Sequence, residues 1–353
     1  MSENNKAKLE EQLIRCVLDD KLSDDMKLKK MDYIIRLGAS VNAKHKTGYS
    51  LYSLAKIMGN EKIINFLDEK GAVEEKKVDI IDPEYRKRRI EMGNFFKDSS
   101  IDEINMFLRI LPEGFKLDCN IDLSNRELTE LPDFSKVWLY GNFNCSNNRL
   151  VILKGAPKHV LDFYCSKNHL TTLEGISGVV NGKLVCSHNE LVSLEGGPQH
   201  IAGEIYLDHN HLTSLKGLAY GLSKVDCSYN ELETLEGAPT KVIGDFICSN
   251  NKLKTLEFAP KEVAGNFICS NNKLKTLEKG PQRVLRGNYD CSDNDLENLE
   301  GASEWVQGDF LCYNNPLKST KGKPNIISGM FKDGDMNYDD EFETFVRFPK
   351  IER

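Results

Sequence analysis

C-terminal of about residue 120, apolar and polar positions recur with a single period. The stretch GDFICSNNKLKTLE, beginning at Gly244, returns as GNFICSNNKLKTLE at Gly265, a spacing of 21 residues. The repeating unit reads V-x-G-x-F-x-C-S-x-N-x-L-x-x-L-E-G-x-P, and its Cys slot is filled in turn by Leu123, Cys145, Cys165, Cys186, Leu207, Cys227, Cys248, Cys269, Cys291 and Cys312. Three residues after that slot stands Asn148, Asn168, Asn189, Asn210, Asn230, Asn251, Asn272, Asn294 or Asn315, with Arg126 in the first turn. Val242, Gly244, Phe246 and Cys248 alternate with Ile243, Asp245, Ile247 and Ser249, and this period of two predicts one strand with the first four residues facing the core.

Each choice of residue has a physical reason. Parallel strands stack ~4.8 Å apart, so identical inward side chains meet directly, and Cys is a small hydrophobe that suits such a line. The Asn amide supplies donors and an acceptor for backbone groups left where the chain leaves the strand. Gly237 and Pro239 mark the turn on the far side, and the few residues available there predict an extended or 3₁₀ return rather than a helix. The turns reaching Cys165 and Cys227 are one residue short and lack the Gly four residues before the Cys, having Leu161 and Ser223 instead.

The N-terminal part follows a different rhythm. Residues 9–18 form an amphipathic pattern, and Gly38-Ala39 recurs as Gly71-Ala72, 33 residues later. Pro83 opens a further helix, and Ser99 or Ser100 begins another with Asp102 and Glu103 in its favourable first turn. These helices are expected to cover the open end of the first turn, whose apolar edge otherwise meets water. From residue 321 the period breaks, which predicts a C-terminal cap and a tail.

Residues 121–317 resemble the short leucine-rich repeats of secreted bacterial effectors and of bacterial and bacteriophage proteins. Val41 to Ala72 resembles an ankyrin repeat: TGYSLYSLA stands where T-P-L-H-x-A is expected, with Leu51 and Tyr52 in place of the Pro and His. The resemblance implies an α+β repeat protein, with ankyrin-like helical hairpins over 1–75 and a linker and helical cap over 76–120. A leucine-rich-repeat solenoid with its parallel sheet on the concave face follows over 121–320, and a cap and tail over 321–353. In the effectors a ubiquitin-ligase domain with a catalytic Cys-x-Asp motif follows the repeats. Here only about 36 residues follow residue 317, and the matching letters Cys291-Ser292-Asp293 fall on the Cys ladder.

Charge and composition narrow the function. A net charge of −7 argues against nucleic acid, and the basic run Arg86 to Arg89 reads as a solvated helix face. No stretch approaches the ~18 apolar residues of a membrane span, and the opening MSENNKAKLEEQ lacks a secretion signal, so the expected location is the cytoplasm, or a host's cytoplasm for an effector. Eight of the ten cysteines follow the repeat, which predicts reduced thiols rather than disulfides or a metal cluster. No phosphate or dinucleotide loop is present, and no cofactor is expected.

The remaining candidate is the concave face. Its outward row, between the aromatic and Cys slots, reads Asn144, Tyr164, Val185, Tyr206, Asp226, Ile247, Ile268, Asp290 and Leu311, and beside it lie Lys167, His188, His209 and Tyr229. An apolar and aromatic stripe is how a rigid surface anchors a partner, although parallel strands favour such residues in any case. His188 and His209 fall on adjacent turns, close enough to share a metal with Asp208. No convergent third ligand accompanies them, so structural or interface use is expected and metal is not. The expected function is non-catalytic binding of a protein partner through Tyr164, Val185, His188, Tyr206, His209, Tyr229, Ile247 and Ile268. The alternatives are an effector that sequesters a host protein and an enzyme with an unrecognised site outside the repeats.

Overall fold

A computed structural model describes residues 2–74, 83–176 and 178–334. The chain divides into two compact units, one of Met1–Asn148 with Leu153–Phe163, the other of Arg149–Ile152 with the chain from Tyr164 onward. The repeats form a parallel β-solenoid of about ten turns with a period near 21 residues. The linker and the acidic, aromatic tail predicted from the sequence fall largely outside the described residues.

The first unit begins with helices α1 (Glu3–Leu18), α2 (Asp24–Arg36), α3 (Leu51–Ile57) and α4 (Glu61–Glu69). Leu13, Ile14 and Val17 of α1 recur at helical spacing and are buried. Ser23, Ser50 and Asn60 begin α2, α3 and α4, and each side chain accepts a hydrogen bond from a first-turn N–H. The 33-residue period marks helix ends: Gly38 and Gly71 both have positive φ (109° and 79°), and the following Ala39 and Ala72 donate to Ile34 O and Leu67 O.

Helices α5 (Pro83–Asp98) and α6 (Ile101–Arg109) complete the helical part, and Ser100 with Glu103 closes a reciprocal capping box at the start of α6. Their apolar faces carry Phe95, Phe96 and Phe107, and Phe96 packs on Phe134 (ring centroids 5.6 Å apart), which in turn meets Phe143 at 5.3 Å. Arg126 explains its departure from the Asn column. Its guanidinium donates to the Phe96 and Ser99 carbonyls (2.8 and 3.0 Å) and to Lys97 O, groups a helix C-terminus leaves unpaired.

In the second unit most turns contribute two short strands, not the single strand the alternation predicts; the turn of Lys224–Asp226 contributes one, with an isolated bridge between Tyr220 and His200 in place of the other. Lys241–Val242 and Phe246–Ile247 belong to different sheets, with a bend at Ile243 and Gly244 between them. The reason lies in the glycines. A Cβ on Gly265 would stand 2.6 Å from the carbonyl carbon of Gly244, and one on Gly203 would stand 2.5 Å from Gly182 O. The Gly265 N–H donates to Gly244 O at 3.0 Å, so successive backbones touch at this corner and a side chain on Gly265 would clash. The turns one residue shorter make the same contact through Leu161 and Ser223, to Gly141 O and Gly203 O (2.9 and 2.7 Å). The aromatic slots then stack in register: Phe246 pairs with Phe267, Phe267 with Tyr289, and Tyr289 with Phe310.

The period does not end at residue 321. Phe310 pairs with Phe331 and Val306 with Ile327, so the segment expected to be a cap contains a further turn, up to Lys332. All ten cysteines are free and buried. The Asn amides join turns as well as closing them. Asn251 Nδ2 donates to Cys248 O and Ser249 O of its own turn (3.2 and 3.0 Å) and to Cys227 O of the previous one (3.0 Å), while Oδ1 accepts from Leu232 N–H at 3.0 Å.

Candidate interaction surface

The position two residues after the Cys slot has one backbone conformation throughout. Asn125, Asn147, Lys167, His188, His209, Tyr229, Asn250, Asn271, Asp293 and Asn314 all have φ between 51° and 59°. Left-handed backbone is costly for residues other than Gly, and least so for Asn, Asp and His, which explains the prevalence of Asn in this column. Lys167 and Tyr229 are the residues that lack such a reason.

Three rings occupy the middle of this column. His188 stacks on His209 with centroids 4.2 Å apart and planes at 22°, and His209 stacks on Tyr229 at 4.4 Å and 11°. Backbone hydrogen bonds hold the three residues in line, since His188 N–H donates to Asp208 O, His209 N–H to Ser228 O and Tyr229 N–H to Ser249 O (3.0 to 3.2 Å). All three side chains are exposed, Tyr229 by 50%.

The adjoining row is less open than the sequence suggests. Tyr164, Val185, Tyr206, Ile247 and Ile268 are all half-buried, wedged between neighbours on their own sheet. Tyr206 is the most constrained. Its hydroxyl donates to Glu204 Oε2 at 2.7 Å, Lys224 Nζ lies 5.1 Å over its ring, and burial followed by the Glu204 contact pushes its hydroxyl pKa up. Lys183 pairs with Glu204 (2.9 Å) and Lys224 with Asp245 (3.6 Å), so the mixed charges at this edge neutralise one another.

The structure brings Asp208, which the sequence sets beside the two histidines, within ligand distance of both. His188, Asp208 and His209 each offer a ligand atom, and these atoms all lie within 4.8 Å of one another. The signal was present in the sequence: Asp208 stands where Ser124, Ser146, Ser166, Ser187, Ser228, Ser249, Ser270 and Ser292 stand in other turns. Its Oδ1 accepts from Ser187 Oγ at 2.5 Å, and its Oδ2 lies 3.0 Å from His209 Nδ1.

Other chemical candidates are accounted for. Cys291 of the Cys-Ser-Asp triplet is fully buried, and burial raises its thiol pKa well above the ordinary value, the reverse of what a nucleophile needs. In the basic run, Lys87 and Arg88 approach Glu91 and Glu84 (both 3.8 Å), and Arg89 holds Asp118 at 2.9 Å. A groove of about 570 Å³ in the helical unit is lined by Glu11, Arg15, Lys46 and Glu103, but Arg15 pairs with Glu11 and Lys46 with Glu103. Among the described residues no helix is long and apolar enough to cross a membrane.

No protein-family model matches this chain, and no curated protein matches it. Among solved structures it is similar to YopM from Yersinia enterocolitica WA-314, with a TM-score of 0.36 and 16% identity over 62% of this chain and 64% of that one. It is also similar to the leucine-rich repeat domain of APL1B, with a TM-score of 0.39 and 20% identity over 56% of this chain and 61% of that one. The chain thus spans less than two thirds of the length of either.

Proposed function

We propose that this is a non-catalytic leucine-rich-repeat protein that binds a protein partner through the exposed ring column and the half-buried row beside it. One observation carries the reading: His188, His209 and Tyr229 form an exposed stack at positions where the fold asks only for a residue that tolerates left-handed backbone. Tyr164, Val185, Tyr206, Ile247 and Ile268 would floor the contact, and the rings would anchor it, as aromatic residues do at the centres of interfaces. The helices of the first unit fit an ankyrin-like start followed by a helical cap. Ten free, buried thiols fit a reducing compartment such as the cytoplasm.

The test is affinity purification from the native host with wild-type protein and with Tyr229→Asn, which places the commonest residue of the column at that position. A stoichiometric partner captured by wild type and lost by the variant supports the reading. Retention of that partner by Tyr229→Asn and by Ile247→Thr places the interface elsewhere. Capture of a host enzyme or defence protein assigns the role of sequestration.

A further inference from the structure

We propose that His188, Asp208 and His209 form a binding site for a divalent transition-metal ion of the zinc, cobalt or nickel type. Three departures from the repeat coincide here. The column of left-handed residues contains no His outside these two turns, and the serine column contains Asp only at position 208. A stack that served packing alone would need the rings but not the carboxylate between the turns that carry them.

The donor set suits the ion. Two imidazole nitrogens and one carboxylate oxygen are the ligands of three-coordinate protein sites that leave a position open for water. Such ligands sit about 2.0 to 2.2 Å from the metal, which requires them to lie roughly 3.4 Å from one another. The three donor atoms already lie within 4.8 Å, on side chains of which both histidines are exposed, so rotation of the rings out of their stack closes the remaining gap without moving the backbone. The backbone itself is held, since both histidines share a φ of 56° and each donates its N–H to the following turn.

Ser187 supplies the outer support that ligating carboxylates commonly have. Its hydroxyl holds Asp208 Oδ1 at 2.5 Å and leaves Oδ2, the oxygen beside His209 Nδ1, to face the ion. Each histidine binds as the neutral imidazole, and any proton displaced from a ring passes to solvent.

The repeat provides variants that keep the fold. His188→Asn and His209→Asn install the residue found at Asn250 and Asn271, and Asp208→Ser installs the residue found at Ser187 and Ser228. The full chain, stripped of metal with a chelator, is titrated with zinc by calorimetry and with cobalt by visible absorption. Wild type is expected to bind one equivalent saturably, and each variant to lose at least about tenfold in affinity. His169→Ala and His211→Ala, which remove exposed histidines paired with Glu190 and Glu231, serve as controls and should bind as wild type does. The inference is overturned if wild type shows no saturable one-to-one binding, or if the three restored variants bind as tightly as wild type. No partner protein enters the assay, so its outcome is separate from that of the interaction reading.

Discussion

Replacing Asn251 with Ala removes one amide whose loss can be followed atom by atom. Its Nδ2 serves three carbonyls, but each keeps another donor: Cys227 O has Asn230, Cys248 O has Asn272, and Ser249 O has the Tyr229 N–H. Its Oδ1 serves the N–H of Leu232, a fully buried residue for which that amide oxygen is the acceptor. The loss is therefore dominated by one orphaned buried N–H, at about 1 to 3 kcal/mol, with ~1 kcal/mol more for the weakened carbonyl bonds, or about 2 to 4 kcal/mol in all. The neighbour Asn250 is the control. Its φ of 54° makes Ala a poor choice, since left-handed backbone costs a side-chain-bearing residue ~1 to 2 kcal/mol, whereas Gly adopts it freely. Asn250→Gly should therefore cost only a few tenths of a kcal/mol. Repeat arrays need not unfold in one step, so denaturant unfolding is paired with native-state amide exchange. Asn251→Ala should strip protection from the Leu232 amide in particular. Equal destabilisation by Asn251→Ala and Asn250→Gly, or an unchanged Leu232 exchange rate in Asn251→Ala, would refute the assignment of inward and outward rows.

Thiol-directed reagents should label Cys227, Cys248, Cys269 and Cys291 only after denaturation, even at mildly alkaline pH, because burial raises their thiol pKa well above the ordinary value; rapid native labelling of any of them contradicts the ladder. Phe246→Ala, which empties a fully buried aromatic slot, should cost about 3 to 5 kcal/mol in denaturant unfolding, and a loss under ~1 kcal/mol would show that the slot collapses. Tyr206→Ala should also destabilise, by ~1 to 2 kcal/mol, since it removes a half-buried ring and its bond to Glu204, whereas Tyr229→Asn should leave the unfolding midpoint unchanged. His45 sits between Phe95 and Phe107, and burial lowers its pKa from 6.5 to about 4. The folded state disfavours the proton, so this stabilisation is complete above pH 6.5 and is lost as pH falls toward about 4. Unfolding of the helical unit followed by exchange across that range should show the loss, and His45→Gln should flatten it.

Much of the solenoid was legible because its determinants are local and repeated. The Cys slot, the Asn three residues on and the inward aromatic residue follow from burial at fixed spacing, and the structure places each where the pattern does. Other features depend on contacts between turns, which a single unit does not display. Glycine at position 244 reads as a strand entry, but the close approach of Gly265 to its backbone makes it the corner between two sheets. Ile326, Ile327 and Phe331 continue the stack without the Cys and Asn that advertise a turn, so the sequence pattern ends before the stack does. Tyr206 reads as an outward ring free to meet a partner. Glu204, two residues back on its own strand, and Lys224 of the next turn hold it instead. Asp208 stands out as the exception in a column of serines and falls beside the two histidines, but the convergence of all three ligand atoms to within 4.8 Å is a contact between turns.

The Asn column gives the solenoid a direction. Each amide oxygen reaches back to a leucine N–H in the turn before it, from Asn168 to Leu150, Asn189 to Leu170, Asn210 to Leu191, and onward to Asn315 and Leu296. A turn is thus incomplete until the next one has formed, while the next one asks less of its predecessor. During synthesis, the newest turn on the ribosome carries an unanswered donor until roughly one more repeat has emerged, so growth from the N-terminus draws each arriving segment onto a waiting acceptor-seeking edge. Truncation from the two ends is correspondingly unequal: removing a C-terminal turn exposes an orphaned amide in the turn that remains, whereas removing an N-terminal turn takes that orphan away with it.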